Sequence, residues 1–112
     1  MVILLNQLQS NSTPFEVTCT GLELGPHRTN ALAKNIKLNE SLLSLHMSRK
    51  GLTDMDGCQI AIMLNHNRKL RKLELEGNQL GPQSLVEFGK MLRYNEKLQY
   101  LDLESNQLTV GG

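Results

Sequence analysis

Few residues of this 112-residue chain belong to types that commonly do chemistry. Apart from carboxylates, they are three histidines and two cysteines: His27, His46, His66, Cys19 and Cys58. No set of them has the spacing of a zinc site, and no glycine-rich phosphate loop or nucleophile motif occurs. We therefore predict that the chain is not an enzyme and that it holds no metal or cofactor.

One pair would suit acid–base catalysis if folding brought it together. His46 and Glu74 are 28 residues apart, at equivalent positions of the repeat described next. A histidine and a carboxylate within hydrogen-bonding reach can share proton-transfer work. The simpler interpretation, which we favour, is a surface histidine on a binding face.

The chain is organised by a repeated stretch. The sequence LRKLELEGNQL, starting at Leu70, recurs as LQYLDLESNQL at Leu98, 28 residues later. The same step backwards gives LLSLHMSRKGL from Leu42, and one more gives the weaker copy PFEVTCTGLEL from Pro14. A repeat period between about 20 and 50 residues predicts a solenoid.

Each copy predicts a short strand followed by a turn. Because side chains alternate along a strand, Leu73 and Leu75 should face the core while Lys72, Glu74 and Glu76 face outward. The helix-forming part of the repeat should then run back to the start of the next strand.

An asparagine near the end of the copy, Asn78 in the third repeat, should close the turn by hydrogen-bonding loop backbone of its own and adjoining coils. The two N-terminal copies have Leu22 and Lys50 at this position. We therefore predict that the asparagine ladder is interrupted in the first two repeats.

Apolar spacing between the strands predicts a helix in each repeat. The clearest begins after Gly81, with Pro82 suited to the first helical position. Its predicted apolar face consists of Leu85, Phe88, Met91 and Leu92. The corresponding residues of earlier repeats are Leu32 and Ile36, and then Ile60, Met63 and Leu64.

The repeat also places the two cysteines. Cys19 takes the strand position of Leu75, and Cys58 takes the helix position of Val86. We predict that both are buried free thiols, since an unpaired cysteine behaves as a small apolar residue.

The LxxLxLxxNxL pattern and the 28-residue step resemble leucine-rich repeat proteins of the ribonuclease-inhibitor-like subclass. The stretches ALAKNIKLNESLLSL and FGKMLRYNEKLQYLDLESNQL are similar to repeats of the tropomodulin group and of NOD-like receptors. The resemblance implies an α/β fold, a short right-handed horseshoe arc with parallel strands on the concave side and helices on the convex side. It also implies a non-enzymatic module that binds another protein.

The repeats divide the chain into parts of a single leucine-rich repeat domain, 1–112. We expect a helix of a truncated repeat over 1–13, full repeats over 14–41, 42–69 and 70–97, and a partial repeat over 98–112. Neither end has the polar cap that solenoids normally need. We therefore expect a fragment of a longer solenoid, or a small protein that covers its uncapped ends by self-association.

Charge and hydropathy exclude some function classes. A formal net charge of +1 argues against a dedicated nucleic-acid binder. No apolar run approaches the roughly 20 residues of a membrane span. The apolar start, MVILL, is shorter than the secretory core of about 7 to 15 residues, so we expect a cytoplasmic protein.

The predicted binding surface is the outward side of the strands, called the concave face from here on. In the first repeat its residues are Glu16, Thr18 and Thr20. The candidate partner-binding residues lie in later repeats: Ser44, His46, Lys72, Glu74, Glu76, Tyr100, Asp102 and Glu104. The carboxylates suit a protein with a basic surface, such as a cytoskeletal or signalling protein, with Tyr100 as an aromatic anchor. The alternative is that they only solvate the surface.

Other interpretations stay open at this point. The Ran GTPase-activating protein is built of the same kind of repeat, so the resemblance also allows regulation of a GTPase or other enzyme, and a self-associating structural role is a third option. A separate basic set borders the helix-to-strand turns: Arg68, Lys69, Arg71 and Lys97. For that set we favour a solvated rim.

Overall fold

A computed structural model describes residues 2–19 and 25–107 of the chain. Helices and strands alternate along it: α1 (Val2–Gln9), β1 (Glu16–Thr18), α2 (Pro26–Lys37), β2 (Ser44–His46), α3 (Asp54–Leu64), β3 (Lys72–Glu74), α4 (Pro82–Leu92) and β4 (Tyr100–Asp102). The strands form one parallel sheet in the order β1-β2-β3-β4. The predicted α/β solenoid is therefore confirmed. No helix in this part of the chain is both long enough and apolar enough to cross a membrane.

The strand register follows the 28-residue repeat. Leu45 lies opposite Leu73, and Leu73 lies opposite Leu101, so equivalent residues of successive repeats stand side by side. Leu45 and Leu73 have no exposed surface, and they form the sheet side of the core. Residues such as Ile60 and Phe88 supply the helix side.

The apolar face of α4 differs from the prediction. Phe88 and Met91 are buried as expected, but Leu85 is 46% exposed and Leu92 is 52% exposed. The third residue of the buried stripe is Ser84, which has no exposed surface.

The neighbouring helices explain the exposure of Leu85 and Leu92. Their equivalents in α3 are Gly57 and Leu64, and both are buried. Helix α3 packs against α2 on one side and α4 on the other. Within the described residues α4 has a helix on one side only, so the same repeat positions stay exposed there.

The cysteines were also predicted to be more buried than they are. Cys19 and Cys58 are both free, as expected, but each is only partly buried. In α4 the helix position of Cys58 is held by Val86, which is 52% exposed. Desolvation by burial raises the pKa of both thiols.

Asn78 ties two successive repeats together. Its side-chain oxygen accepts the backbone N–H groups of Lys50 and Leu52, at 2.8 and 3.1 Å. Its amide nitrogen donates to the carbonyls of Met47 and Leu75, at 3.0 and 2.9 Å. Each asparagine thus serves the turn of the repeat before it as well as its own.

Because each asparagine also serves the turn of the preceding repeat, the predicted interruption of the ladder has to be corrected. Asn78 holds the turn of the second repeat, even though that repeat has Lys50 at the asparagine position. The loss caused by Lys50 therefore falls on the turn of the first repeat. Leu22, the other departure from the pattern, lies outside the described residues, as do Leu24 and the predicted end of the partial repeat, 108–112.

A second asparagine ladder lies where each helix returns to its strand. It consists of Asn39, Asn67 and Asn95, which are all buried. Asn67 donates to the carbonyls of Ile36 and Asn39, at 2.6 and 3.1 Å, and accepts the N–H groups of Lys69 and Leu70, both at 2.9 Å. This ladder fixes where each strand begins and therefore which side chains reach the concave face.

Candidate functional site on the concave face

The strand register brings the eight candidate residues onto one surface. The first row contains Ser44, Lys72 and Tyr100, and it continues to Glu16 in β1. The second row contains His46, Glu74 and Asp102, and it continues to Thr18. Glu76 and Glu104 follow their strands, next to Asp102. The equivalent position in the first repeat, Thr20, lies outside the described residues.

His46 is held between two carboxylates. Its Nδ1 lies 2.7 Å from Oε2 of Glu74, and its Nε2 lies 2.6 Å from Oε1 of Glu16. An ionised carboxylate can only accept hydrogen bonds, so both contacts are hydrogen bonds at once when both ring nitrogens carry a proton. In this arrangement neither nitrogen is free to exchange a proton with a substrate.

Glu74 is the centre of this network. Lys72 Nζ lies 3.2 Å from Oε1 of Glu74, and it also lies 5.0 Å from the centre of the Tyr100 ring. The hydrogen bond from His46 is the largest of the effects that lower the pKa of Glu74. The carboxylate of Glu74 is therefore already engaged by two neighbours, His46 and Lys72.

The uncompensated negative charge lies at the other end of the face. One carboxylate oxygen each from Glu76, Asp102 and Glu104 fall within 4.8 Å of one another. Arg49 Nη1 approaches only Glu76, at 3.6 Å. Within the described residues this is the one group of three or more histidine, cysteine or acidic side chains close enough to share a cation.

Two residues that make contacts on this face, Glu16 and Arg49, are missing from the predicted partner-binding residues. Glu16 was placed in the first row, but its contact with His46 was not foreseen, because it runs diagonally from one strand to the next. Arg49 follows Ser48 in a turn at φ 53°, a conformation that the sequence pattern does not indicate. The sequence did contain a signal for the contact of Glu16: its repeat position is two residues from that of His46, which makes the two side chains diagonal neighbours on adjacent strands.

Comparison with known proteins agrees with this geometry. A family model described as Leucine Rich repeat matches residues 66–89 and 94–112. The chain thus has the leucine-rich repeat fold, with matching repeats in its C-terminal part. No curated protein sequence matches it.

Two solved structures share this fold. The structure of leiomodin-1 actin-binding site 2 has a TM-score of 0.86 and 19% identity, and the alignment covers 96% of this chain and 64% of that one. The tropomodulin C-terminal domain of Caenorhabditis elegans has a TM-score of 0.85 and 16% identity, covering 99% of this chain and 68% of that one. This chain thus spans just under two thirds of the leiomodin-1 structure. At these identities the likeness establishes the fold alone.

Proposed function

We propose that this leucine-rich repeat protein is a non-enzymatic module that binds a basic surface of a protein partner through its concave face. The observation that carries the proposal is the unequal charge balance of that face. Glu16 and Glu74 both contact the ring nitrogens of His46, and Lys72 pairs with Glu74, so these two carboxylates already have partners within the fold. Among the described residues, the acidic group of Glu76, Asp102 and Glu104 has one paired cation, Arg49.

The exposed ring of Tyr100 supports the same role. It is 50% exposed, and Lys72 lies over one side of it. Tyrosine combines a large contact area with a hydroxyl group, so it commonly anchors protein interfaces. A partner with Arg or Lys beside an apolar patch would find complementary groups for both.

The similar leiomodin-1 structure is an actin-binding site, and this favours a cytoskeletal partner. Actin is therefore the first partner to test, and we infer a cytoplasmic location from the same likeness. The shared fold supports this choice of partner, and the charge balance of the concave face supports the surface that would be used.

The test compares two double variants with equal changes in charge. Asp102→Asn combined with Glu104→Lys alters the acidic group, while Glu40→Gln combined with Glu96→Lys alters two exposed carboxylates at the helix-to-strand turns. Each protein is assayed for binding to purified actin and for crosslinked partners in a lysate, after circular dichroism has shown that it is folded.

We expect the first variant to lose at least about tenfold in affinity, which is the scale of one interfacial charge pair. The second variant should bind like the native chain. If the first variant keeps its partner, the concave face is not the binding site.

A further inference from the structure

A cleft outside the concave face lies between the C-terminal ends of α3 and α4. Its volume is about 530 Å³, and it is lined by Asn65, Arg68, Lys90, Arg93 and Tyr94. Three of these five residues are cationic. The sequence prediction included only Arg68 among them, as part of a solvated rim.

Arg68 lines the cleft, and hydrogen bonds hold its side chain in place. Its Nη1 donates to the carbonyl oxygen of Tyr94 at 2.9 Å, and its Nη2 donates to that of Asn65 at 3.3 Å. These carbonyls belong to the residues just after each helix, where the partial negative charge of the helix end favours a cation. One guanidinium therefore holds the ends of two helices at a set separation.

The other two cations of the cleft make fewer contacts with the rest of the chain. Arg93 has no ion pair and no side-chain hydrogen bond within the described residues. Lys90 has one exposed contact, with Glu87 at 3.4 Å.

The surroundings of the cleft are also positive. Lys69, Arg71 and Lys97 follow the same turns, and their side chains form no ion pair in the described part of the chain. Glu87 and Glu96 are the acidic residues nearby in sequence. Cations thus outnumber carboxylates along this edge, whereas the concave face has the opposite excess.

We propose that this cleft binds a short acidic peptide segment of a protein partner, with a glutamate or aspartate side chain seated between Arg93, Lys90 and Arg68. A guanidinium can hold a carboxylate through two parallel N–H donors, and an ammonium beside it adds a third charge-assisted contact. The exposed Tyr94 provides apolar surface for the stem of the side chain. The proposal is independent of the concave face, which takes the opposite charge.

The dimensions of the cleft and the net charge of the chain argue against a nucleic-acid ligand. A volume of about 530 Å³ accepts one or two side chains but not the width of a nucleic-acid duplex. The net charge of the chain is only +1, so it lacks the broad positive field that drives binding to a phosphate backbone.

The experiment uses a fluorescein-labelled peptide of alternating glycine and glutamate, read by fluorescence anisotropy against the complete 112-residue chain. A peptide with glutamine in place of glutamate and a single-stranded oligonucleotide of equal charge serve as comparison ligands. The test variant is Lys90→Gln with Arg93→Gln, which leaves the structural contacts of Arg68 intact. The matched control, Lys34→Gln with Lys37→Gln, removes the same charge from exposed residues of α2 outside the cleft.

We expect the test variant to bind the glutamate peptide at least about tenfold more weakly, and the matched control to change less than about twofold. Shifts of the Asn65, Arg68 and Tyr94 amide signals during a nuclear magnetic resonance titration should accompany binding. Equal weakening in both variants would show non-specific attraction and overturn the proposal. Binding of the glutamine peptide as tight as the glutamate peptide, or tighter binding of the oligonucleotide, would overturn it as well.

Discussion

Asn78 is the side chain on which two turns depend most directly. It is 5% exposed, and it satisfies backbone groups of Met47, Lys50, Leu52 and Leu75. Buried backbone groups that lose their partner cost free energy, so Asn78→Ala should lower the free energy of unfolding by about 1 to 3 kcal/mol. Urea denaturation measures this change.

Asn106 provides the matched comparison for that substitution. It holds the same repeat position and accepts the N–H of Leu80 at 3.0 Å, but it is only partly buried. Asn106→Ala should therefore cost less than Asn78→Ala. An Asn78→Ala variant as stable as the native chain would show that water already satisfies the turn.

Asp54, in α3, caps the start of the next helix, α4. Its carboxylate accepts the backbone N–H groups of Gly81, Gln83 and Ser84, at 3.0, 3.2 and 2.7 Å, and so caps α4 from within α3. Burial pushes the pKa of Asp54 upward, but the hydrogen bonds from Ser84, Gly81 and Gln83 outweigh it and leave the pKa below its ordinary value.

The lowered pKa of Asp54 predicts a pH dependence of stability. A carboxyl group with a lower pKa in the folded chain stabilises the fold above its unfolded pKa of about 3.9, and this contribution is lost as the pH falls through the folded pKa. Between pH 7 and pH 3, Asp54→Asn should therefore lose less stability than the native chain. Glu96→Gln, which alters an exposed carboxylate, is the control. Equal losses in the native chain and Asp54→Asn would contradict the role of Asp54.

The contact between helices α3 and α4 depends on a glycine. A Cβ added at Gly57 would clash with Ser84 Oγ and would lie 2.7 Å from Leu80 Cδ2. Gly57→Ala should therefore force the helices apart and cost about 1 to 3 kcal/mol. Gly89 in α4 has nothing within 4 Å of the same added atom, so Gly89→Ala should instead stabilise by about 0.5 to 1 kcal/mol.

Denaturation of both alanine variants separates packing from helix propensity. If propensity dominated, both substitutions would stabilise the chain. A stabilised Gly57→Ala variant would therefore show that α3 and α4 have room to adjust.

The packing of these helices also marks the limit of what the sequence predicts. The 28-residue step predicted the strands, their register and the apolar positions of Phe88 and Met91. It could not predict that Leu85 and Leu92 are exposed, because burial there depends on whether another helix covers that side of α4. Periodicity describes one repeat, whereas burial depends on its neighbours.

The candidate site shows the same division. Repeat spacing was sufficient to place His46 beside Glu74, because both occupy one strand position in adjacent repeats. It did not indicate that Glu16 also contacts His46 or that Lys72 pairs with Glu74, since these contacts depend on side-chain conformation. The cleft at Arg93 was missed because its lining comes from the ends of two helices, where no repeat position has a fixed residue type.

In the third and fourth repeats, charge is distributed by edge. The acidic group of Glu76, Asp102 and Glu104 follows the C-terminal ends of β3 and β4. The cations of the cleft and its surroundings precede the N-terminal ends of the same strands. Because every repeat has the same direction, each edge collects one kind of turn, and two separate surfaces of opposite charge result.

The same repetition predicts where the solenoid is least stable. Lys50 occupies the asparagine position that should tie the first turn, and a lysine has only donors, so it cannot accept backbone N–H groups as Asn78 does. Three equivalent amides report on successive repeats: Cys19, Met47 and Leu75 donate to the next strand at 3.0, 2.9 and 2.9 Å. Their hydrogen bonds are alike in length, so differences in exchange should reflect local opening.

We expect the Cys19 amide to exchange with solvent faster than those of Met47 and Leu75 in nuclear magnetic resonance experiments. Lys50→Asn should restore the missing acceptor, slow exchange at Cys19 and leave Leu75 nearly unchanged. Lys50→Gln, which removes the charge but has a longer side chain, separates this effect from charge alone. If Lys50→Asn left Cys19 as fast as before, its fast exchange would instead come from the position of β1 at the edge of the described sheet, where it pairs with one strand.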